Sequence, residues 1–134
     1  SPGMSFMQCR GMENPQKGIS LSMLSGDDIL AIPENLQQII RKNTTVGKEL
    51  VLGVRPEDVL LSFKAQENFL DAEVYIVENM GSHKIVDIKY GDEIIRARVL
   101  PSVEPEIGSK VWMNFDMERI RLFDKETEQS IMHE

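Results

Sequence analysis

The sequence predicts an all-β protein: a small barrel or sandwich of seven or more short strands with one short helix. Three observations carry this. From Gly47 onward, apolar residues recur at alternate positions in runs of four to nine residues. Glycine, proline, asparagine and aspartate punctuate those runs at close spacing. A single segment, near residue 36, has apolar residues at helical spacing.

Met4 to Arg10 reads as a first strand and Met12 to Gly18 as a turn-rich loop. Ile19, Leu21 and Met23 alternate with Ser20 and Ser22. After the turn Ser25-Gly26-Asp27-Asp28, Ile29 to Ile32 returns as the other arm of a hairpin. Pro33 suits a first helical position and Glu34 complements the helix dipole. Leu36, Ile39 and Ile40 then share one face, and Arg41-Lys42-Asn43 suits a C-terminus. A helix this short depends on packing, here as the cap of a barrel.

Leu50 to Val54 is an apolar run broken by Arg55-Pro56-Glu57-Asp58, since proline cannot donate to a ladder; Val59 to Phe63 resumes it. Leu70 to Glu78 alternates, which places Ala72, Val74 and Ile76 on the inner face. Met80-Gly81-Ser82-His83 is a turn before the strand Lys84 to Tyr90. Gly91-Asp92 joins that strand to Glu93–Leu100 as a two-residue hairpin. Pro101 to Ser109 is a loop, Lys110 to Phe115 and Arg119 to Phe123 are the closing strands, and a polar tail follows. The expected core includes Val74, Ile76, Val86, Ile88, Val99, Val111 and Leu122, with Phe6, Phe63, Phe69, Phe115 and Phe123 also among apolar neighbours. At 134 residues this is one domain, or two small β subdomains sharing a core.

Composition excludes several functions. With 22 acidic against 15 basic residues the net charge is −7, the wrong sign for neutralising phosphates, so nucleic acid is not an expected partner. No apolar run approaches the roughly 20 residues needed to cross a bilayer, and no basic-then-apolar leader opens the chain. Direct membrane insertion is therefore not expected. The lone cysteine, Cys9, has no internal disulfide partner, which fits a reducing cytosol.

Catalytic patterns are missing. Gly47-Lys48 is followed by Glu49, and no glycine stands five residues before Gly47, so the phosphate-cradling loop fails at both ends. His83 and His133 lie in a turn and in the tail. The carboxylate pairs Asp27-Asp28, Glu57-Asp58 and Asp92-Glu93 occupy turns or strands, where sequence neighbours point apart. No catalytic, cofactor-binding or metal-ligating residue is assigned. Ser82-His83-Lys84 is the one candidate cluster for a small oxyanion. Lys84, Lys89, Arg96 and Arg98 read as screening nearby acids.

At Leu52-Gly53-Val54-Arg55-Pro56-Glu57-Asp58-Val59 the sequence resembles the G-[IV]-R-P-E-[DH]-[IVL] signature of the transport-associated OB (TOBE) region. That region belongs to ATP-binding subunits of the maltose and glycerol-phosphate importer family. Val77-Glu78-Asn79-Met80-Gly81-Ser82 resembles the family's V-E-x-x-G-x turn. Pro105 to Val111 resembles its P-x-x-G-x-x-V turn into a strand, and Arg119 to Asp124 its I-x-L-F-D closing strand. Ser1-Pro2-Gly3-Met4-Ser5-Phe6-Met7 resembles S-P-x-M-N-F-[LI], with Ser5 in place of asparagine.

The resemblance covers essentially residues 1–134. It implies an OB-like regulatory domain, with 1–60 contributing the N-terminal hairpin and helix of two interleaved subdomains. It also implies an ABC ATPase domain upstream in the same chain, which would hold the ATP and Mg that this segment does not. Transmembrane permease partners, a cytoplasmic position at the inner face of the membrane, a homodimer, and import of a sugar or polyol phosphate follow by the same likeness. Arg55, Glu57, Glu78, Trp112 and Phe123 are the candidate interface or regulatory residues; Gly53, Pro56, Gly81 and Gly108 are the expected turn residues. On an extended segment Arg55 and Glu57 would share one side, and Leu122 and Phe123 would face opposite sides. The alternative reading is a stand-alone OB module binding a small oxyanion.

Overall fold

A computed structural model describes residues 3–133 as ten antiparallel strands, one helix and a 3-10 turn. The strands form two five-stranded sheets. The first contains β1 (Ser5–Asn14), β2 (Gly18–Met23), β3 (Ile29–Ala31), β4 (Glu49–Val54) and β10 (Arg121–Asp124), in the spatial order β10-β4-β1-β2-β3. The second contains β5 (Val59–Ser62), β6 (Leu70–Asn79), β7 (Lys84–Tyr90), β8 (Glu93–Val99) and β9 (Lys110–Phe115), in the order β5-β9-β6-β7-β8. The last strand thus returns to the first sheet and pairs with β4. The all-β class with one short helix is as expected, and ten strands agree with the expectation of seven or more.

β1 runs through to Asn14, where a loop was expected. Asn14 shortens the connection: its Oδ1 accepts from the N–H groups of Gln16 and Lys17, so the chain reverses within three residues. The helix α1 (Glu34–Asn43) starts one residue later than the proline reading, with Pro33 in extended conformation before it. It buries Leu36 and Ile40 as the spacing predicted, together with Gln37. Gln37 is satisfied in place: Oε1 accepts from Ile19 N–H at 3.0 Å and Nε2 donates to Ile32 O at 3.1 Å. The helix packs on β2 and sets Ile40 against the bare backbone of Gly11.

The core joins residues of both sheets, from Met7, Leu21 and Leu52 to Val74, Val86 and Met113. Of the expected core, Val74, Val86, Ile88, Val111 and Leu122 are buried and Val99 is half-buried against it. Ile76 is 41% exposed, contrary to expectation. The register against β7 shifts between Val74 and Ile76, so Tyr75 is a bulged extra residue and Val77 takes the inward place opposite Val86. Among the phenylalanines only Phe115 is buried; Phe6 and Phe63 are exposed, and Phe69 and Phe123 half-buried.

The sheets interlock where two turns meet. The β7–β8 turn, with Gly91 at φ +59°, fits against Ser25 so closely that a Cβ on Gly91 would stand 2.5 Å from Ser25 O. Tyr90 Oη donates to Asp28 Oδ2 at 2.7 Å, and Ser25 Oγ donates to Asp92 Oδ1 at 2.8 Å. Burial and the Asp28 carboxylate raise the Tyr90 hydroxyl pKa well above its usual value.

Candidate functional site

The outward face of β1, β4 and β10 carries a cleft of about 750 Å³, and the register shows how it is built. Phe6, Gly53 and Arg121 lie side by side in one row; Gln8, Val51 and Phe123 lie side by side in the next. In each strand these residues alternate with inward-facing core residues, Met7, Leu52 and Leu122, as period-two geometry requires. Gly53 is the low point. A Cβ there would meet Met4 Sδ at 2.7 Å, the Phe123 ring at 3.2 Å and the Phe6 ring at 3.3 Å. Side chains from two segments far apart in sequence therefore close over bare backbone.

Charged groups line the margins. Arg55, Arg121 and Lys125 border the cleft, and none forms an ion pair among the described residues. On the β1 margin, Glu93 reaches in from the start of β8. Its Oε2 accepts from Gln8 N–H at 3.0 Å, while Oε1 is enclosed with no donor. Asp124 closes one end and pairs with Lys48 at 2.8 Å. That hydrogen bond, helped by the Thr127 and Glu126 N–H groups, holds its carboxyl below the usual carboxylate range. Beneath the face, burial pushes the Cys9 thiol up to about 12, with the Glu93 charge adding to the effect.

The sequence-selected residues divide between this cleft and other places. Arg55 and Phe123 line it together, and Phe123 faces outward while Leu122 is buried. Glu57 is exposed on the 3-10 turn Pro56–Asp58 and does not line it. The extended geometry that would have put Arg55 and Glu57 on one side is absent, because Pro56 starts a helical turn there. Glu78 is exposed on β6 opposite Ile85, and Trp112 sits on β9 opposite Asp71 and Ser62; neither reaches the cleft. Gly81 and Gly108 have the expected positive φ, +86° and +88°. Gly53 does not turn the chain; it lies inside β4 between paired neighbours.

Phe6, Arg121 and Glu93 escaped the sequence reading. The first was assigned to the core, and the other two are brought to the cleft margins only by contacts between residues far apart in the chain. Of Ser82, His83 and Lys84, the Ser82 Oγ lies 2.9 Å from His83 Nδ1, and Lys84 Nζ donates to Val103 O at 2.7 Å. Among the described residues no cluster of His, Cys, Asp or Glu has metal-binding geometry, and no helix is long and apolar enough to cross a membrane.

Two interlocked antiparallel β units define a fold of OB type. Comparison with known proteins gives the family. The TOBE domain model matches residues 52–123, and the MalK OB fold domain model matches residues 1–59. The chain belongs to the TOBE domain family. Domains of this kind are non-catalytic, and this chain is not an enzyme.

Among curated relatives, the trehalose/maltose import ATP-binding protein MalK of Thermococcus litoralis is 37% identical over 91 residues, 64% of this chain and 24% of that protein. The oligosaccharides import ATP-binding protein MsmX of Bacillus subtilis is 28% identical over 110 residues, 79% of this chain and 30% of that protein. An uncharacterized ABC transporter ATP-binding protein of the same bacterium, YurJ, is 29% identical over 134 residues, 98% of this chain and 36% of that protein. The chain spans roughly a third of the length of these relatives. A crystal structure of the cytoplasmic molybdate-binding protein ModG shares the fold, with a TM-score of 0.67 at 18% identity, covering 87% of this chain and 93% of that one.

Proposed function

We propose that this chain is the regulatory and dimerisation part of the ATP-binding subunit of an ABC-type importer for a sugar or polyol phosphate. The observation that carries the reading is the tandem match: a MalK OB unit followed by a TOBE unit, in relatives that are ATP-binding subunits. ATP and Mg would then be handled by another domain of the same subunit, upstream of this one. Permease subunits would be reached through that domain, at the cytoplasmic face of the membrane. The rival reading of a stand-alone oxyanion binder is not better supported, since the relatives are ATP-binding subunits.

Self-association follows from the same reading, with Arg55 and Phe123 at the contact. The exposed aromatic face supports it. Three strands by about six residues is roughly 14 by 20 Å, or about 300 Å² per partner. Stable complexes bury about 800 Å² per partner, so the isolated chain pairs weakly. A dissociation constant of tens to hundreds of micromolar corresponds to about −5 to −7 kcal/mol.

A chimera tests the functional reading. Residues 1–134 replace the matching third of the Bacillus subtilis MsmX protein, and oligosaccharide uptake is measured in cells lacking the native subunit. Uptake above the empty-vector level is expected. A folded, normally expressed chimera that hydrolyses ATP yet supports no uptake would overturn it.

A further inference from the structure

Resting on that reading of self-association, we infer that Glu93 is the acidic half of the contact between two copies and receives the Arg121 guanidinium of the second. The cleft is arranged asymmetrically in a way that a two-fold axis makes complementary. Read across the face, Glu93 stands at one margin, held on the Gln8 N–H of β1; β4 forms the middle; Arg121 stands at the other margin on β10. Arg121 and β1 are two strand spacings apart, about 10 Å. A two-fold axis lying in the contact plane and running along β4, above Gly53 and Val51, exchanges the margins. It lays the guanidinium side of one copy on the carboxylate side of the other, twice, around the Phe6 and Phe123 rings. An isologous contact requires this pattern, residue i on j and j on i.

Glu93 lines the cleft margin with Oε2 held on the Gln8 N–H and Oε1 enclosed, so the carboxylate is a fixed negative charge at that margin. Arg121 donates only to the neighbouring Ile120 O, which leaves most of its five N–H groups free. Arg55 is less well placed, because it follows the central strand and a two-fold operation keeps it on the central column. Glu57 lies outside the cleft.

The arrangement also links association to the seam between the sheets. Glu93 follows the turn that Tyr90 and Asp92 pin to Asp28 and Ser25. A guanidinium drawn to this carboxylate therefore bears on the segment that holds β8 against β1.

Complementary charge reversal tests the contact by sedimentation velocity on the 134-residue chain across a hundredfold concentration range. Glu93→Arg alone and Arg121→Glu alone each set like charges together at both pairs and are expected to weaken association at least about tenfold. Mixing the two single variants places opposite charges at both pairs, and association should return to within about threefold of wild type. Circular dichroism melts of each variant separate loss of contact from loss of fold; Arg121→Glu spares the Gln8 hydrogen bond and stays informative if Glu93→Arg is unstable.

Wild type that dimerises with both single variants unaffected, or a mixture of folded variants that fails to recover, rejects the Glu93–Arg121 pairing while the dimer stands elsewhere. A wild type that stays monomeric to about millimolar, a level near −4 kcal/mol, removes the dimer reading and the pairing together.

Discussion

The ring of Phe123 meets the ring of Phe6 edge-on above Gly53, with centroids 6.3 Å apart and planes inclined by 64°. The two residues lie 117 positions apart in sequence, at opposite ends of the chain (123 minus 6). They meet because β1 and β10 both pair with β4, and Gly53 leaves room between them. Such a pair contributes about 0.5–1.5 kcal/mol beyond the area it covers.

Gly53→Ala tests whether that room is needed. The added methyl meets the flexible end of Met4 first, which can move, and then two rings that must shift by a few tenths of an ångström. A loss of about 1 kcal/mol is expected for alanine and up to about 3 for valine. Urea denaturation of wild type, Gly53→Ala and Gly53→Val measures the series. Equal stability of all three would show that the rings do not depend on the glycine.

How much of this was legible follows the range of each signal. The helix and the Tyr90-to-Glu93 hairpin come from spacing and turn chemistry within a few residues, and the structure has both. Ile76 failed because a bulge changes the alternation without any glycine or proline to mark it. Phe6 failed for a different reason. A large aromatic among apolar neighbours is usually core, but here the inward place belongs to Met7 and the aromatic belongs to a face. Glu93 could not be found at all from sequence, because its role depends on the approach of β8 to β1, 85 residues away. Local chemistry was readable; pairing between distant strands was not.

Two glycines with positive φ should behave differently. Gly91 is at φ +59° and a Cβ would stand 2.5 Å from a backbone oxygen of Ser25. Gly108 is at φ +88° with nothing within 4 Å of its Cβ position. Gly108→Ala pays only conformational strain, about 1 to 2 kcal/mol. Gly91→Ala adds a clash with backbone that cannot turn aside, so its cost should exceed that of Gly108→Ala by about 1 kcal/mol or more. Thermal melts of both variants under one buffer rank them, and a reversed order contradicts the interlocked turn.

Asp124 should make the fold acid-sensitive. Its carboxyl is held below the usual range by the Lys48 hydrogen bond and by two backbone N–H groups of the following turn. A depressed folded pKa means that the stabilisation is complete above the unfolded value of about 4 and is lost as pH falls through the folded one. Denaturant midpoints should therefore decline below about pH 4, and Lys48→Met should flatten that decline. The comparison of the two slopes between neutral pH and about pH 3 is decisive, with unchanged slopes counting against the pair.

Cys9 offers a readout of opening. It is fully buried under the cleft, and burial with the Glu93 charge raises its thiol from 9.0 to about 12. Only the thiolate reacts with disulfide reagents. At pH 8 a shift of three units lowers the thiolate fraction by roughly a thousandfold, before any steric protection is counted. Labelling of the native chain should therefore proceed through local or global opening, with a rate set by how often β1 separates from β4. Substitutions that loosen this face, Gly53→Val among them, should speed labelling in step with their loss of stability. Fast reaction of the wild-type thiol in native buffer, at a rate near that of the urea-unfolded chain, would place Cys9 outside the core and undo the packing of β1 described above.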